Sequence, residues 1–317
     1  MTKEPYAQEV PLARTVDMRL NAAFGSPISI ATAEGLCVGE PMSPVTGAVV
    51  CYAPTVEILR RAADEGRNLI LSREHPFFVH GGLHHAYLAE GLVSVDPMLA
   101  LGPGGTDRDL IPSAGLNGDF IVEAKRDLIF ASDLIIYRQA SAWDTFRPSA
   151  QSAALARALG IDLAPDQEQL RRRGVVGTLN EPVAVDALAR VAAETLSCTP
   201  RIVGDTDLFV RTVAVLAGET DPVESLSALL SEPSIDAIVT GAGGILDEVD
   251  GGVSYFQDLR ASGRRLSMIT VGFGPSHEPG VREMAKWVAQ VVPELDVQYW
   301  PSGDPTWVPG IELVKKH

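Results

Sequence analysis

An alternation of apolar and amphipathic segments between residues 47 and 71 constrains the fold more than any other feature. Residues 47–53 (GAVVCYA) and residues 69–71 (LIL) are apolar runs of strand length. Between them Thr55 is a suitable helix cap, and apolar residues follow it at helical spacing: Val56, Leu59, Ala62 and Ala63. Two strands joined by one helix lie parallel in the same sheet. The segment therefore predicts a β-α-β unit.

The same alternation recurs in the second half of the chain, which indicates two similar lobes. Further apolar runs of strand length are residues 134–137, 210–217, 235–239, 266–271 and 297–300. Helical patterns are residues 121–131, 149–159, 183–196, 223–230, 255–262 and 281–292. We predict an α/β protein with two similar three-layer lobes and mostly parallel sheets. We expect residues 1–125 to form the first lobe, completed by residues 275–317, and residues 126–274 to form the second.

The composition narrows the classes of function. The chain has 317 residues, 46% of them hydrophobic, so it is long enough for a large core. Its formal net charge of −15 disfavours nucleic-acid binding, because an acidic surface repels phosphate backbones. We find no apolar run of about 18 residues that would span a membrane and no secretory signal. The three cysteines lack CxxC spacing. These features predict a cytoplasmic protein without a membrane segment.

Side chains of the types that bind metal ions follow three of the predicted strands. They are Glu74 with His75, then Asp144, then His277 with Glu278. In α/β proteins, ligands bind at the carboxyl ends of the strands. Carboxylates and imidazoles together suit a divalent transition metal or a two-metal hydrolytic site. The pattern therefore raises the hypothesis of a metal centre assembled from three strand ends.

Each of these elements has a structural alternative when it is taken alone. A His-Pro pair after a strand, as at His75, more often shapes a turn, and a single loop aspartate such as Asp144 more often caps a backbone. Tyr137 and Trp143 are candidates to stack on a base or sugar, with core packing as the alternative. Three more histidines follow: His80, His84 and His85. They could belong to a lid over the site, contact the metal themselves, or lie in a polar loop without a role, and the sequence leaves these interpretations open.

Seven segments together resemble a known family. They are residues 35–39 (GLCVG), 74–76 (EHP), 137–144 (YRQASAWD), 174–179 (GVVGTL), 213–218 (VAVLAG), 236–241 (DAIVTG) and 272–278 (GFGPSHE). In this order they are similar to the motifs of the Nif-three-like dinuclear metal family, often described as GTP cyclohydrolase 1 type 2 homologues. The resemblance runs from residue 34 to residue 300 and implies the Nif-three-like fold.

The family's metal ligands are only partly matched in the first half of the chain. The resemblance implies ligand roles for His75 and Asp144, and Glu74 stands where the family has a histidine. Ala140 stands at a further histidine position, and its methyl group cannot bind a metal ion. The swap to Glu74 still allows metal binding, whereas the swap to Ala140 removes a ligand.

The later motifs have changed as well. Ala242 takes the position of a family glutamate, and the histidine of the last motif falls on Phe273 or Gly274, depending on the alignment. His277 is then a substitute donor. The candidate ligands are Glu74, His75, Asp144, His277 and Glu278. Their carboxylate content favours Mn, Mg or Fe over Zn, although the sequence does not distinguish these metals.

The resemblance implies a hydrolase with one or two divalent metal ions, assembled as a ring-like homohexamer. His75, Asp144 and Glu278 would hold the metal, and Glu74 or His277 would complete its shell or act as general base. The substrate would be a nucleotide or another small phosphorylated or cyclic amide compound. The alternative is a non-catalytic assembly or regulatory protein that keeps the fold with a degenerate metal site. The altered motifs leave both hypotheses open.

Overall fold

In the computed structural model, residues 10–24, 35–77, 119–140, 143–144, 150–163, 174–219, 234–242 and 252–304 are described, and every structural statement below concerns them. Their strands are β1 (Gly35–Val38), β2 (Ala48–Cys51), β3 (Leu69–Ser72), β4 (Ile135–Arg138), β5 (Asp162–Leu163), β6 (Gly174–Ala184), β7 (Arg201–Val203), β8 (Phe209–Glu219), β9 (Ala237–Ala242), β10 (Ser267–Thr270) and β11 (Val297–Tyr299). Their helices are α1 (Ala13–Phe24), α2 (Val56–Asp64), α3 (Phe120–Ala131), α4 (Ala150–Ala158), α5 (Val185–Leu196), α6 (Gly252–Ala261) and α7 (Phe273–Val291).

The helix α2 forms as its sequence predicts. The Thr55 side chain accepts a hydrogen bond from the backbone N–H of Ile58 at 3.3 Å, which satisfies one of the donors left open at a helix start. Gly66 follows the helix with φ +68°, a conformation that glycine adopts without strain. The apolar stripe is buried at Ile58, Leu59 and Ala62. Local capping and spacing are therefore sufficient to define this element.

By their internal contacts the residues form two compact units. The first consists of Met1–Phe146 with Val281–Ser302, and the second of Arg147–Gly280 with Gly303–His317. Each unit contains one of the two β-sheets. The predicted α/β architecture with two lobes is confirmed.

The sheet of the first unit has the strand order β1-β4-β3-β2-β11. All neighbours are parallel except β1 and β4. Every residue of β2, β3 and β4 is buried, as expected for a parallel sheet that is covered on both faces. Ser72 at the end of β3 lies opposite Arg138 at the end of β4. The segments that follow these two strands therefore leave the sheet at the same edge.

The sheet of the second unit has the strand order β5-β6-β8-β9-β10-β7. Its central strands β8, β9 and β10 run parallel, while the flanking pairs are antiparallel. The expectation of parallel strands thus holds at the centre of this sheet. Its core packs α4 and α5 on one face, including Leu155, Val185 and Leu188.

Two elements go beyond the sequence patterns. Residues 174–179 (GVVGTL), one of the seven family-like segments, begin the long strand β6, which pairs with β8. Val183 and Ala184 belong to this strand, opposite Val210 and Phe209, so α5 begins two residues later than its apolar spacing suggests. The helix α1 was not predicted, and it buries Ala13, Val16 and Leu20 on one face. At Val183 and Ala184, pairing with a distant strand outweighs local helical spacing. The buried residues of α1 recur at helical spacing, so this helix does have a local signal.

Some predicted features lie outside the described residues. They are the helix at residues 223–230 and the three histidines His80, His84 and His85. In the part of the chain that is described, no helix combines the length and the apolar character needed to cross a membrane.

Candidate functional site

An ion pair occupies the carboxyl edge of β3 and β4 in the first unit. Arg73, the first residue after β3, donates from Nη1 to Oδ1 of Asp144 at 3.1 Å and from Nη2 to Oδ2 at 2.7 Å. The Arg73 side chain is 12% exposed, and that of Asp144 is 41% exposed. The aspartate predicted to be a metal ligand therefore has a guanidinium group on both of its carboxylate oxygens.

The charges around Arg73 keep it protonated. Burial would lower the pKa of its guanidinium, but the charge and hydrogen bonds of Asp144 outweigh this, and the net pKa lies above its ordinary value. The charges of Glu74 and Tyr52 act in the same direction. Glu74 and Asp144 thus share one nearby cation, which belongs to the protein itself.

His75 takes part in the turn that follows β3. Its Nδ1 accepts a hydrogen bond from the backbone N–H of Phe77 at 3.1 Å. The two rings meet edge to face with centroids 5.8 Å apart. Because Nδ1 carries a lone pair, the hydrogen of the neutral ring is on Nε2. Metal coordination through Nε2 would need the other tautomer and would break the hydrogen bond to Phe77.

The backbone of the same turn is anchored on two sides. The N–H of Glu74 donates to the carbonyl of Tyr52 at 2.9 Å. Lys125 of α3 donates from Nζ to the carbonyl of Pro76 at 2.9 Å. Burial lowers the pKa of Lys125 from 10.5 to about 8, opposed by the charge of Cys51. These two hydrogen bonds hold the turn that carries Glu74 and His75.

The segment after β4 offers an amide and a methyl group at this edge. Gln139 is 1% exposed, and its side-chain amide has no hydrogen-bond partner among the described residues. Its backbone N–H donates to the carbonyl of Ser72 at 2.8 Å. Ala140, at the position of a family histidine, is buried, and its carbonyl accepts from the N–H of Asp144 at 3.1 Å. This segment supplies no imidazole beside the aspartate.

The two aromatic candidates are part of the core. Tyr137 and Trp143 are each 1% exposed. The Trp143 ring lies 5.4 Å from that of Trp287 in the same unit. Burial raises the pKa of the Asp17 carboxyl, and the neighbouring Tyr137 side chain acts in the opposite direction. These contacts favour core packing over stacking on a ligand.

The other two predicted ligands belong to the second unit, in the first turns of α7. We expected the last helix to begin at residue 281, but α7 begins at Phe273 and includes Pro275 and Pro279. Pro275 stands in the first turn, where the backbone N–H has no helical partner and proline is tolerated, whereas Pro279 lies inside the helix, where proline removes a backbone donor. His277 and Glu278 therefore lie on a helix and are both buried.

Two glycines allow the strand ends to approach the start of α7. A β-carbon on Gly218 would lie 2.7 Å from His277 Nε2, and one on Gly241 would lie 2.5 Å from Ser276 Oγ. The Ser276 hydroxyl accepts from the N–H of Gly218 at 2.9 Å. The His277 ring meets Phe273 edge to face at 4.9 Å. His277 is thus closely packed against the ends of the strands.

The donor groups of the first unit do not fit a metal centre in this arrangement. Both oxygens of Asp144 bind Arg73, and His75 uses Nδ1 within its turn. Within the described ranges, no three histidine, cysteine, aspartate or glutamate side chains form a group that could hold a metal ion. The five-residue ligand set stays a prediction, with three members in the first unit and two in the second.

Sequence reasoning did not single out Arg73 or Lys125. A signal existed for each. Arg73 directly precedes Glu74 in the motif itself. Lys125 stands between Val122 and Ile129 on the apolar face of α3, where a lysine is rarely buried without a partner.

A family model covers more than half of the chain. The model described as Duf34/NIF3 (NGG1p interacting factor 3) matches residues 121–301. No curated protein matches the sequence.

Several solved structures are similar in fold. The protein ybgI, of unknown function, has a TM-score of 0.64 at 18% identity, covering 93% of this chain and 100% of that one. A Bacillus cereus protein related to NIF3 has a TM-score of 0.63 at 15% identity, covering 95% and 100%. The Staphylococcus aureus hypothetical protein SA1388 has a TM-score of 0.62 at 14% identity, covering 94% and 99%. At such identities the likeness shows the fold alone.

Proposed function

Because this chain belongs to the Duf34/NIF3 family, we propose that it is an assembly or regulatory protein that keeps the family fold without divalent-metal hydrolase chemistry. One contact carries the proposal: Arg73 donates to both carboxylate oxygens of Asp144. A carboxylate binds a metal ion through those same oxygens. The guanidinium therefore competes directly with a metal ion for this residue.

Two neighbouring features support the proposal. The Nδ1 atom of His75 accepts a hydrogen bond from the Phe77 N–H, so His75 already has a structural function in the turn. Ala140 presents a methyl group at the position where the family resemblance implies an imidazole. One ligand position is lost at Ala140, and Asp144 and His75 already bind protein groups. The donors that remain are too few to hold a metal ion tightly.

A second candidate is the divalent-metal hydrolase that the resemblance implied. Glu74 and His75 favour it, because both side chains are half-buried rather than sealed and stand at the carboxyl edge of a parallel sheet. In this candidate Glu74 or His277 is the general base. The ion would be Zn, Mn, Fe or Mg, and the substrate a nucleotide-like, other small phosphorylated or cyclic amide compound.

Metal analysis of the full chain, purified without a chelating tag, tests the proposal. We expect less than about 0.1 equivalent of any transition metal, with no rise after incubation with Zn²⁺, Mn²⁺ or Fe²⁺. GTP incubated with the protein and each ion, or with Mg²⁺, should remain intact. About one equivalent of metal that is lost in Asp144→Asn but kept in the surface control Asp296→Asn would overturn the proposal.

The assembly that we propose is the ring-like homohexamer of the family resemblance, located in the cytoplasm. The high hydrophobic content of 46% is compatible with large buried interfaces. Light scattering on the full chain should report about six times the 33.8 kDa subunit mass. A monomeric mass would contradict this part of the proposal.

A further inference from the structure

The partners of the Arg73–Asp144 pair come from distant parts of the first unit. They are 71 residues apart in the chain, and each follows a strand of the same parallel pair. The backbone of Arg73 is anchored as well, because its carbonyl accepts from Nε of Arg138 at 3.2 Å. The pair therefore joins the ends of β3 and β4 by side chains in addition to the sheet hydrogen bonds.

The pair differs from an ordinary surface salt bridge in geometry and burial. Two parallel N–H···O bonds hold the guanidinium and carboxylate in one orientation, which a single contact does not do. The arginine is nearly sealed from solvent, whereas the aspartate keeps part of its hydration. Removing the aspartate would leave a buried cation without its main counter-charge, which proteins tolerate poorly.

We propose that Arg73 is a built-in cation that takes the place of a metal ion at Asp144 and fixes the ends of β3 and β4. This inference deepens the proposed function and rests on it in one respect: Asp144 is not a metal ligand. The inference also gives Arg73 a structural role, which is to fix the ends of β3 and β4. A protein could lose its metal chemistry without gaining this role. The first unit is then stable without added metal, because Arg73 already neutralises the Asp144 carboxylate.

A double-mutant cycle on the full chain measures the role directly. The variants are Arg73→Met, which keeps much of the apolar stem, Asp144→Asn, and the double variant. We expect the two single changes to be non-additive by about tenfold in the unfolding equilibrium constant from urea titrations. Asp144→Asn should be the more destabilising single change, since it strands the buried charge.

The chain offers a matched control pair in the same unit. Arg67 is also 12% exposed and contacts Asp296, which is 67% exposed and receives one guanidinium hydrogen bond on its carboxylate. The cycle of Arg67→Met and Asp296→Asn should be additive within about twofold. A coupling at residues 73 and 144 no larger than this control would overturn the inference.

EDTA supplies the second measurement. The melting temperature of the wild type should not change when EDTA is added. A fall that Asp144→Asn abolishes would overturn the inference, since Asp144 would then hold a metal ion. A fall that persists in Asp144→Asn, together with strong coupling, would contradict the proposed function and leave Arg73 in its structural role.

The conservative variant Arg73→Lys keeps the test usable if Arg73→Met fails to fold. Lysine retains the charge but lacks the fork that binds both oxygens. It should fold and recover part of the coupling to Asp144. An Arg73→Lys protein as stable as the wild type would overturn the bidentate role.

Discussion

His277 packs its imidazole into space that Gly218 leaves open, since a β-carbon at residue 218 would lie 2.7 Å from Nε2. Gly218 also has φ +80°, a conformation that strains residues with a side chain. The end of β8 therefore packs closely against the first turns of α7, and this packing requires glycine at residue 218. This contact explains why His277 is 3% exposed despite its position in a motif expected to bind metal.

Substitution of Gly218 should reveal that contact. Gly218→Ala adds a steric clash to the backbone strain, so we expect it to destabilise the protein by about 3 kcal/mol or more. The control is Gly263→Ala, which has a similar positive φ of +95° with nothing near its missing β-carbon. It should lose only about 1–2 kcal/mol, the strain alone. Urea unfolding measures both.

A second change separates the clash from the strain. His277→Ala in the Gly218→Ala background should recover part of the lost stability, because the added methyl group then has room. No recovery, or equal losses in Gly218→Ala and Gly263→Ala, would show that the ring does not pack closely against residue 218.

The stability of the protein should rise with pH between about 8 and 10.5 through Lys125. Its pKa is lowered by burial from 10.5 to about 8, so the unfolded chain binds more protons than the folded one in this window. The slope from one such group is at most about 1.4 kcal/mol per pH unit. The difference between the wild type and Lys125→Met, measured by urea unfolding at several pH values, isolates this contribution. A pH-independent difference would contradict the lowered pKa.

The cysteines should react with iodoacetamide in a fixed order. Cys37 is half-buried, whereas Cys51 and Cys198 are fully buried. Burial, with the charge of Asp304, raises the pKa of Cys198 from 9.0 to about 12, which reduces its thiolate about a thousandfold. Mass spectrometry of the native protein should find Cys37 alkylated first. Cys198 modified at the same rate as Cys37 would refute this order.

His75 allows its two roles to be told apart. If it shapes the turn, His75→Ala loses the acceptor for the Phe77 N–H and about 1 kcal/mol of stability. His75→Asn keeps an acceptor near the same place and should lose less. If it binds metal, both variants should instead lose bound metal and, with it, a similar amount of stability. Melting curves and metal analysis of the two variants decide between these outcomes.

The β-α-β unit between residues 47 and 72 could be predicted because its determinants are local. The Thr55 cap, the apolar stripe of α2 and the buried strands act within a few residues of one another. The family motifs likewise located the strand ends that carry Glu74, His75 and Asp144. These residue types suggested a metal centre, because the sequence shows which side chains can bind a metal ion. It does not show which other protein groups those side chains contact.

The partners were decided by tertiary structure. Arg73 could pair with Asp144 only after β3 and β4 had become neighbours, which brings together side chains 71 residues apart. The same holds for residues 174–184, which become strand β6 by pairing with β8. Local spacing defines a helix or strand because its capping residue and its regularly spaced apolar residues all lie within that one element. Charge pairing and strand pairing depend on distant segments, and for this reason Asp144 was recognisable as a candidate while its cation was not.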